Sequence, residues 1–194
     1  MYNSMSTLPS ALYNIIVFLA QSKREEAEEL WKIIKYNDYD ALSHENLTFD
    51  EKMKLIWRTG KQDDYQIFFT NLCEDAIAEE KAILKIYDFM IQPENLYIGS
   101  ALFAFDFLFG GKMALVEYHG VPCNRGDIFI HCILAVLNGV DIGGVGKLTF
   151  TDDISRYSGA KTVIGNSQTF TGVCLYIGTL MGDVGKSADG CIDD

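Results

Sequence analysis

Apolar residues in the first third of the chain recur at helical spacing. Leu12, Ile15, Ile16 and Leu19 make one stripe, and Ser10 stands where a cap would, predicting a helix over residues 10–20. Ala27, Leu30, Trp31, Ile33 and Ile34 make a second apolar face, predicting a helix over residues 24–36. Residues 37–47 show no period. Thr48 and Glu51 then have capping-box spacing, ahead of Met53, Leu55, Ile56 and Trp57, with Gly60 as the stop. Another helix is expected over residues 64–80.

From residue 81 the period becomes two. Ile83, Lys85, Tyr87, Phe89 and Ile91 alternate with Leu84, Ile86 and Asp88, a strand pattern. Beyond a turn at Pro93-Glu94-Asn95, a long strand is expected from Leu96 to Phe109, with Tyr97, Ala101, Phe103, Phe105, Phe107 and Phe109 on one side. Gly110-Gly111 reads as a hairpin turn that returns Met113 to Tyr118 as a third strand. Residues 125–138 form an almost wholly apolar helix with a glycine stop at Gly139, and strands follow near 146–150, 161–165 and 169–179.

Strands joined by short turns pair antiparallel, with helices on one face. The expected fold class is therefore α+β: a mainly antiparallel sheet of five to six strands with one central helix packed on it, preceded by an acidic helical N-terminal region. The expected organisation is a helical region over 1–80, a sheet-plus-helix domain over 81–181, and a polar, glycine-rich, flexible arm over 182–194. The long aromatic strand exceeds the usual length of about 5–6 residues. One end should project as a hairpin of the sort that serves assembly, or the strand should carry a bulge near Gly99.

Charge changes the picture more than composition does. The chain of 194 residues is 48% hydrophobic and 22% charged, as one globular domain or one with an appendage would be. Its 27 acidic and 16 basic residues leave a net charge of −11, which disfavours a free-standing nucleic-acid binder. An acidic surface suits a protein that lies near DNA without gripping it, and equally one kept from aggregating. Cys73, Cys123, Cys132, Cys174 and Cys191 are odd in number and widely spaced with no CxxC pair, so neither a disulfide framework nor a zinc site is indicated. Reduced, intracellular assembly is expected, with Cys132 and Cys174 in the core. The apolar stretch 11–20 is too short to span a bilayer and runs straight into Lys23-Arg24-Glu25-Glu26, so no membrane partner is expected.

The run Ile142-Gly143-Gly144-Val145-Gly146-Lys147-Leu148 has the look of a phosphate-binding loop. A P-loop needs a glycine where Asp141 stands, a hydroxyl where Leu148 stands, and a strand before it in place of a helix. Against the variant loop of the ParA-like partition ATPases, Ile142 replaces the signature lysine and Leu148 the threonine. The glycines are read as a helix-to-strand connection, and no cofactor is expected.

Nor does a catalytic constellation stand out. His131 sits on the apolar helix, where a buried histidine bonded to backbone is the expectation; His44 lies in the irregular acidic region. Pairing Cys123 with His119 lacks a third, orienting group, so the chain is read as no enzyme. The run Asn124-Arg125-Gly126-Asp127 says more. Asn124 can cap the helix and Asp127 suits its first turn. Arg125 has two equal readings: a local salt bridge with Asp127 or Asp106, or a pair reaching a carboxylate on another copy of the chain.

The order helix, three strands, helix and further strands resembles the tail-terminator and neck proteins of tailed bacteriophages. So do the run from Pro93-Glu94-Asn95 through the long strand and Arg125-Gly126-Asp127-Ile128 opening a helix that ends in Leu137-Asn138-Gly139. This resemblance covers roughly residues 81–180. It implies a structural virion protein: a homo-oligomeric ring in the head–tail connector, touching portal, neck or tail proteins, with DNA passing without specific binding. Candidate subunit contacts are Arg125, Asp127, Gly110, Gly111, Lys112 and the C-terminal arm. A small acidic intracellular protein that masks a basic partner, as immunity and inhibitor proteins do, fits the same charge and layout.

Overall fold

The computed structural model describes residues 6–71, 81–95, 98–150, 163–164 and 169–182, with backbone alone for 163–164 and 169–170. In chain order these residues form α1 (Leu8–Gln21), α2 (Glu25–Lys35), α3 (Phe49–Lys54), β1 (Ile67–Phe68), β2 (Ile83–Pro93), β3 (Ile98–Gly110), β4 (Leu115–Tyr118), β5 (Val121–Asn124), α4 (Arg125–Leu137), β6 (Asp141–Ile142), β7 (Gly146–Lys147), β8 (Val163–Ile164) and β9 (Thr169–Gly182). The class is α+β, as expected.

The helices keep their expected stripes and change their ends. α1 starts before Ser10, at Leu8, because Pro9 carries the φ that a first turn needs. The acids Glu25, Glu26 and Glu28 open α2, and Lys32 and Lys35 close it, each sign at the favourable end of the helix dipole. The capping box of α3 is real: Glu51 N–H donates to Thr48 Oγ1 at 3.3 Å, and Thr48 N–H donates to Glu51 Oε2 at 2.9 Å. That helix does not reach Gly60. Leu55 O accepts from Ile67 N–H at 3.0 Å and Trp57 N–H donates to Ile67 O at 2.9 Å, so the chain has already turned extended.

The helix expected over 64–80 is corrected where it is described. Ile67 and Phe68 form a strand instead, with Ile67 in the main core and Phe68 in a second cluster. A short run buried on both faces has no alternation, and periodicity cannot tell it from a helix. The rest of that span, 72–80, lies outside the described residues.

One sheet has the order β1-β2-β3-β9-β8, antiparallel except for the β1–β2 pair. The third strand read at Met113–Tyr118 is corrected: β9 takes the place beside β3, in register from Ile98↔Gly182 to Gly110↔Phe170. Gly110-Gly111 is accordingly no hairpin. Gly110 ends β3, a 3₁₀ turn follows, and β4 swings away to pair only with β5. The turn between those two is His119-Gly120, both at positive φ (51° and 81°), as a two-residue hairpin requires.

One face of the sheet makes the core. Phe103, Phe105, Phe107 and Phe109 of β3 join residues of α1, α2 and α4 in a single cluster, so the N-terminal helices and the sheet share one interior. Phe107 stacks on Phe129 of α4, with ring centroids 4.6 Å apart. Each such buried side chain contributes about 1.5–3 kcal/mol.

Candidate functional site

The other face of the sheet changes character along its length. Cross-strand partners share a face, so register defines successive rows. Ile83, Leu108 and Gly172 form the first, Lys85, Asp106 and Cys174 the second, Tyr87, Ala104 and Tyr176 the third, Met90, Leu102 and Gly178 the fourth, and Gln92, Ser100 and Leu180 the last. Apolar contacts bury the first row, where Phe68 packs on Ile83 and Leu108. The second row carries a buried ion pair, Lys85 Nζ to Asp106 Oδ2 at 3.3 Å. Tyr87 donates its hydroxyl to the same oxygen at 3.2 Å. Burial first, and the Asp106 charge second, raise the Tyr87 phenol well above its ordinary value.

Beyond the third row the sheet opens to solvent. Every residue of β2 from Asp88 to Pro93 is exposed, although β3 behind it stays largely covered. A bulge between Asp88 and Met90 falls where exposure begins, so the bulge is on β2 and not near Gly99. Phe89 (54% exposed), Met90 (42%), Ile91 (39%) and Leu180 (46%) stand at this end. The Phe89 and Tyr176 rings lie 4.7 Å apart and tilted by 58°. Among the described residues, β1 covers the outer edge of β2 only at Leu84 and Lys85. From Asp88 onward the strand is exposed, no other described strand pairs with that edge, and apolar side chains stand along it. The long strand read over 96–109 is itself flanked by β2 and β9 along its length, and the exposed end belongs to β2. The arrangement can add a strand from another chain.

The structure places the residues singled out in the sequence in two groups. Arg125 is completely buried and is corrected as a contact with another copy. Its Nε donates to Met113 O at 2.7 Å, Nη1 to Ile33 O at 2.7 Å and Tyr36 O at 2.8 Å, and Nη2 to Asp38 O at 3.0 Å. The local alternative, a salt bridge with Asp127 or Asp106, does not form either; Asp106 faces Lys85. Burial lowers the Arg125 guanidinium to about 10, partly offset by Asp38, so it stays charged at neutral pH. Gly110 is buried as well. Asp127, Gly111 and Lys112 are exposed. Asn124 caps α4 by accepting from Gly126 N–H at 2.7 Å. Of the C-terminal arm, Gly182 ends β9 and 183–194 lie outside the described residues.

His131, expected inside, is exposed on α4; the apolar pattern of that helix leaves an outward stripe. His119 sits at the tip of the β4–β5 turn, and Cys123 lies opposite Val116 at the third pair from that turn. Cys132 is buried with its thiol 3.8 Å from Glu29 Oε2; burial first, then the Glu29 charge, push that thiol far up. The glycine run forms the β6–β7 ribbon. Gly146, at φ 96°, lies so close to the Leu180 carbonyl that a Cβ would collide with it. Among the described residues, no helix is long and apolar enough to cross a membrane.

Two features escaped the sequence reading. Lys85 and Asp106 looked like ordinary members of alternating strands, and only register pairs them. The span 37–47 looked irregular, yet it gathers Asp38, Asp40 and His44.

Fold and register together define an α+β protein with a closed, helix-covered sheet face and an open strand end. The chain belongs to the YomW family, whose model matches residues 27–179. That is a family of the Bacillus phage SPbeta-region type, which makes this a phage-associated protein. The match takes in most of α2 and all of α3, so that part of the helical region belongs to the family pattern along with the sheet, and α1 lies before it. No curated protein and no solved structure matches the chain.

Proposed function

We propose that the chain is a structural virion protein, a homo-oligomeric ring in the head–tail connector of a tailed phage, lining or sealing the DNA passage. The observation that carries this reading is the open end of β2. Six consecutive exposed residues with Phe89, Met90 and Ile91 among them, on an edge that no described strand pairs beyond Lys85, are a liability in a lone molecule. A second copy is the occupant that such an edge suits. An edge meeting a different surface on the next copy is a heterologous contact, and those close into rings when the rotation allows. The phage-associated family supports the setting, and a charge of −11 suits a wall past which DNA slides without adhering. The portal, neck and tail proteins would be the neighbours, and the role is non-enzymatic.

The test is mass spectrometry of density-purified particles from the source culture, with native mass spectrometry of the isolated chain. Stoichiometric presence in intact particles, at a few copies per portal, is the expected result. A chain absent from particles and abundant as a soluble monomer overturns the reading, and the search moves to a basic binding partner.

A further inference from the structure

The connection between α2 and α3 brings three metal-ligating side chains together. One carboxylate oxygen each from Asp38 and Asp40 and an imidazole nitrogen of His44 all lie within 4.8 Å of one another. His44 Nε2 stands 2.9 Å from Asp38 Oδ2. The imidazole lies flat on the Tyr36 ring, with centroids 3.9 Å apart and planes 13° from parallel, which holds it in place. Asp40, by contrast, has no hydrogen bond or ion pair to its carboxylate among the described residues.

What holds the loop is its backbone. Arg125 donates to the carbonyls of Tyr36 and Asp38, Lys32 Nζ to Leu42 O at 3.1 Å, and Ser43 N–H to Asp40 O at 2.8 Å. Backbone anchors therefore keep the two carboxylates close, with the Arg125 charge and the His44 imidazole both acting on Asp38. The nearby guanidinium is committed to carbonyls, and the imidazole reaches only one of the acids. A cation between them would bind both acids and the imidazole at once.

We propose that Asp38, Asp40 and His44 bind a divalent transition-metal ion of the Zn²⁺ class, with its remaining positions open to water. Zinc takes imidazole nitrogen and carboxylate oxygen at about 2.0–2.2 Å, which sets tetrahedral ligand atoms roughly 3.4 Å apart. The observed separations, from 2.9 Å to at most 4.8 Å, bracket that value. The imidazole selects against Mg²⁺ and Ca²⁺, which prefer oxygen throughout. On binding, His44 Nε2 exchanges its hydrogen bond to Asp38 for the metal. The ion would tie the loop shut beside β4, which already bonds to it through Glu117 N–H and Tyr39 O at 2.8 Å.

The test titrates the full chain, freed of metal by chelation, with Zn²⁺ by calorimetry and with Co²⁺ by visible absorption. One saturable site is expected, weakened at least tenfold in Asp40→Asn and in His44→Gln. Asp40→Asn breaks no hydrogen bond of the fold, so its folding is not at issue. The Co²⁺ form should show ligand-field bands without thiolate charge transfer. No saturable binding, unchanged affinity in both variants, a thiolate band, or displacement of Zn²⁺ by excess Mg²⁺ would each overturn the assignment.

Discussion

Arg125 opens α4 and closes α2. Its Nη1 donates to Ile33 O at 2.7 Å and to Tyr36 O at 2.8 Å, joining positions 92 and 89 residues apart in sequence. The last carbonyls of a helix lack partners within it, and a cation there also meets the negative end of the dipole. Nε and Nη2 extend the same group to Met113 and Asp38. One side chain thus fastens three stretches of chain.

Replacing Arg125 by alanine should be severely destabilising. It leaves four carbonyls short of a donor, each buried polar group costing about 1–3 kcal/mol when unsatisfied. A loss of at least ~3 kcal/mol is expected by urea denaturation, with Arg125→Lys recovering only part because an ammonium cannot span the fork. A loss under ~0.5 kcal/mol would refute the role.

The Lys85–Asp106 pair makes a different prediction. Breaking it alone, by Asp106→Asn, leaves a buried ammonium and should cost about 3–5 kcal/mol. Replacing both partners together, Lys85→Met with Asp106→Leu, should restore much of that stability. If single and double variants prove additive in a mutant cycle, the two groups are not coupled.

Acid should weaken the start of α3. Hydrogen bonds from Thr48, and then Lys35, hold the Glu51 carboxyl down at about 2, against an ordinary value of 4.5. A depressed acid stabilises the fold above its unfolded value, and that contribution is lost as pH falls through the folded one. Wild type should therefore exceed Glu51→Gln in stability at pH 6, and the gap should close between pH 4.5 and 2. A gap independent of pH would show that the charge of Glu51 contributes nothing.

At the open sheet end, Phe89→Lys with Ile91→Lys should abolish higher-order assembly in light scattering. Both positions are exposed, so the midpoint of unfolding should stay within what ±0.5 kcal/mol allows. Retained assembly would move the contact elsewhere on the chain, to the exposed Asp127 or the Gly111–Lys112 turn.

Local chemistry was enough to read α2, β2, β3, the Thr48–Glu51 box and the Asn124 cap from the amino-acid order. Each of those depends on residues within a few positions of one another, where period and capping act directly. What lay beyond was everything set by register between distant strands. Met113 to Tyr118 has the composition of a sheet strand, but β9 fits the edge of β3 over thirteen paired positions and displaces it. Arg125 was read as pairing with a carboxylate, locally or on another copy; only the meeting of α2, α4 and the loop at Asp38 turns it to backbone carbonyls instead. Lys85 and Asp106, harmless in their own strands, become an ion pair through that same register. The sequence by itself determined the long helices and strands and most of their apolar faces, because backbone geometry imposes those periods. Tertiary structure alone decided which polar groups lie inside and whom they meet, because burial and pairing there depend on strands and helices brought together from far along the chain.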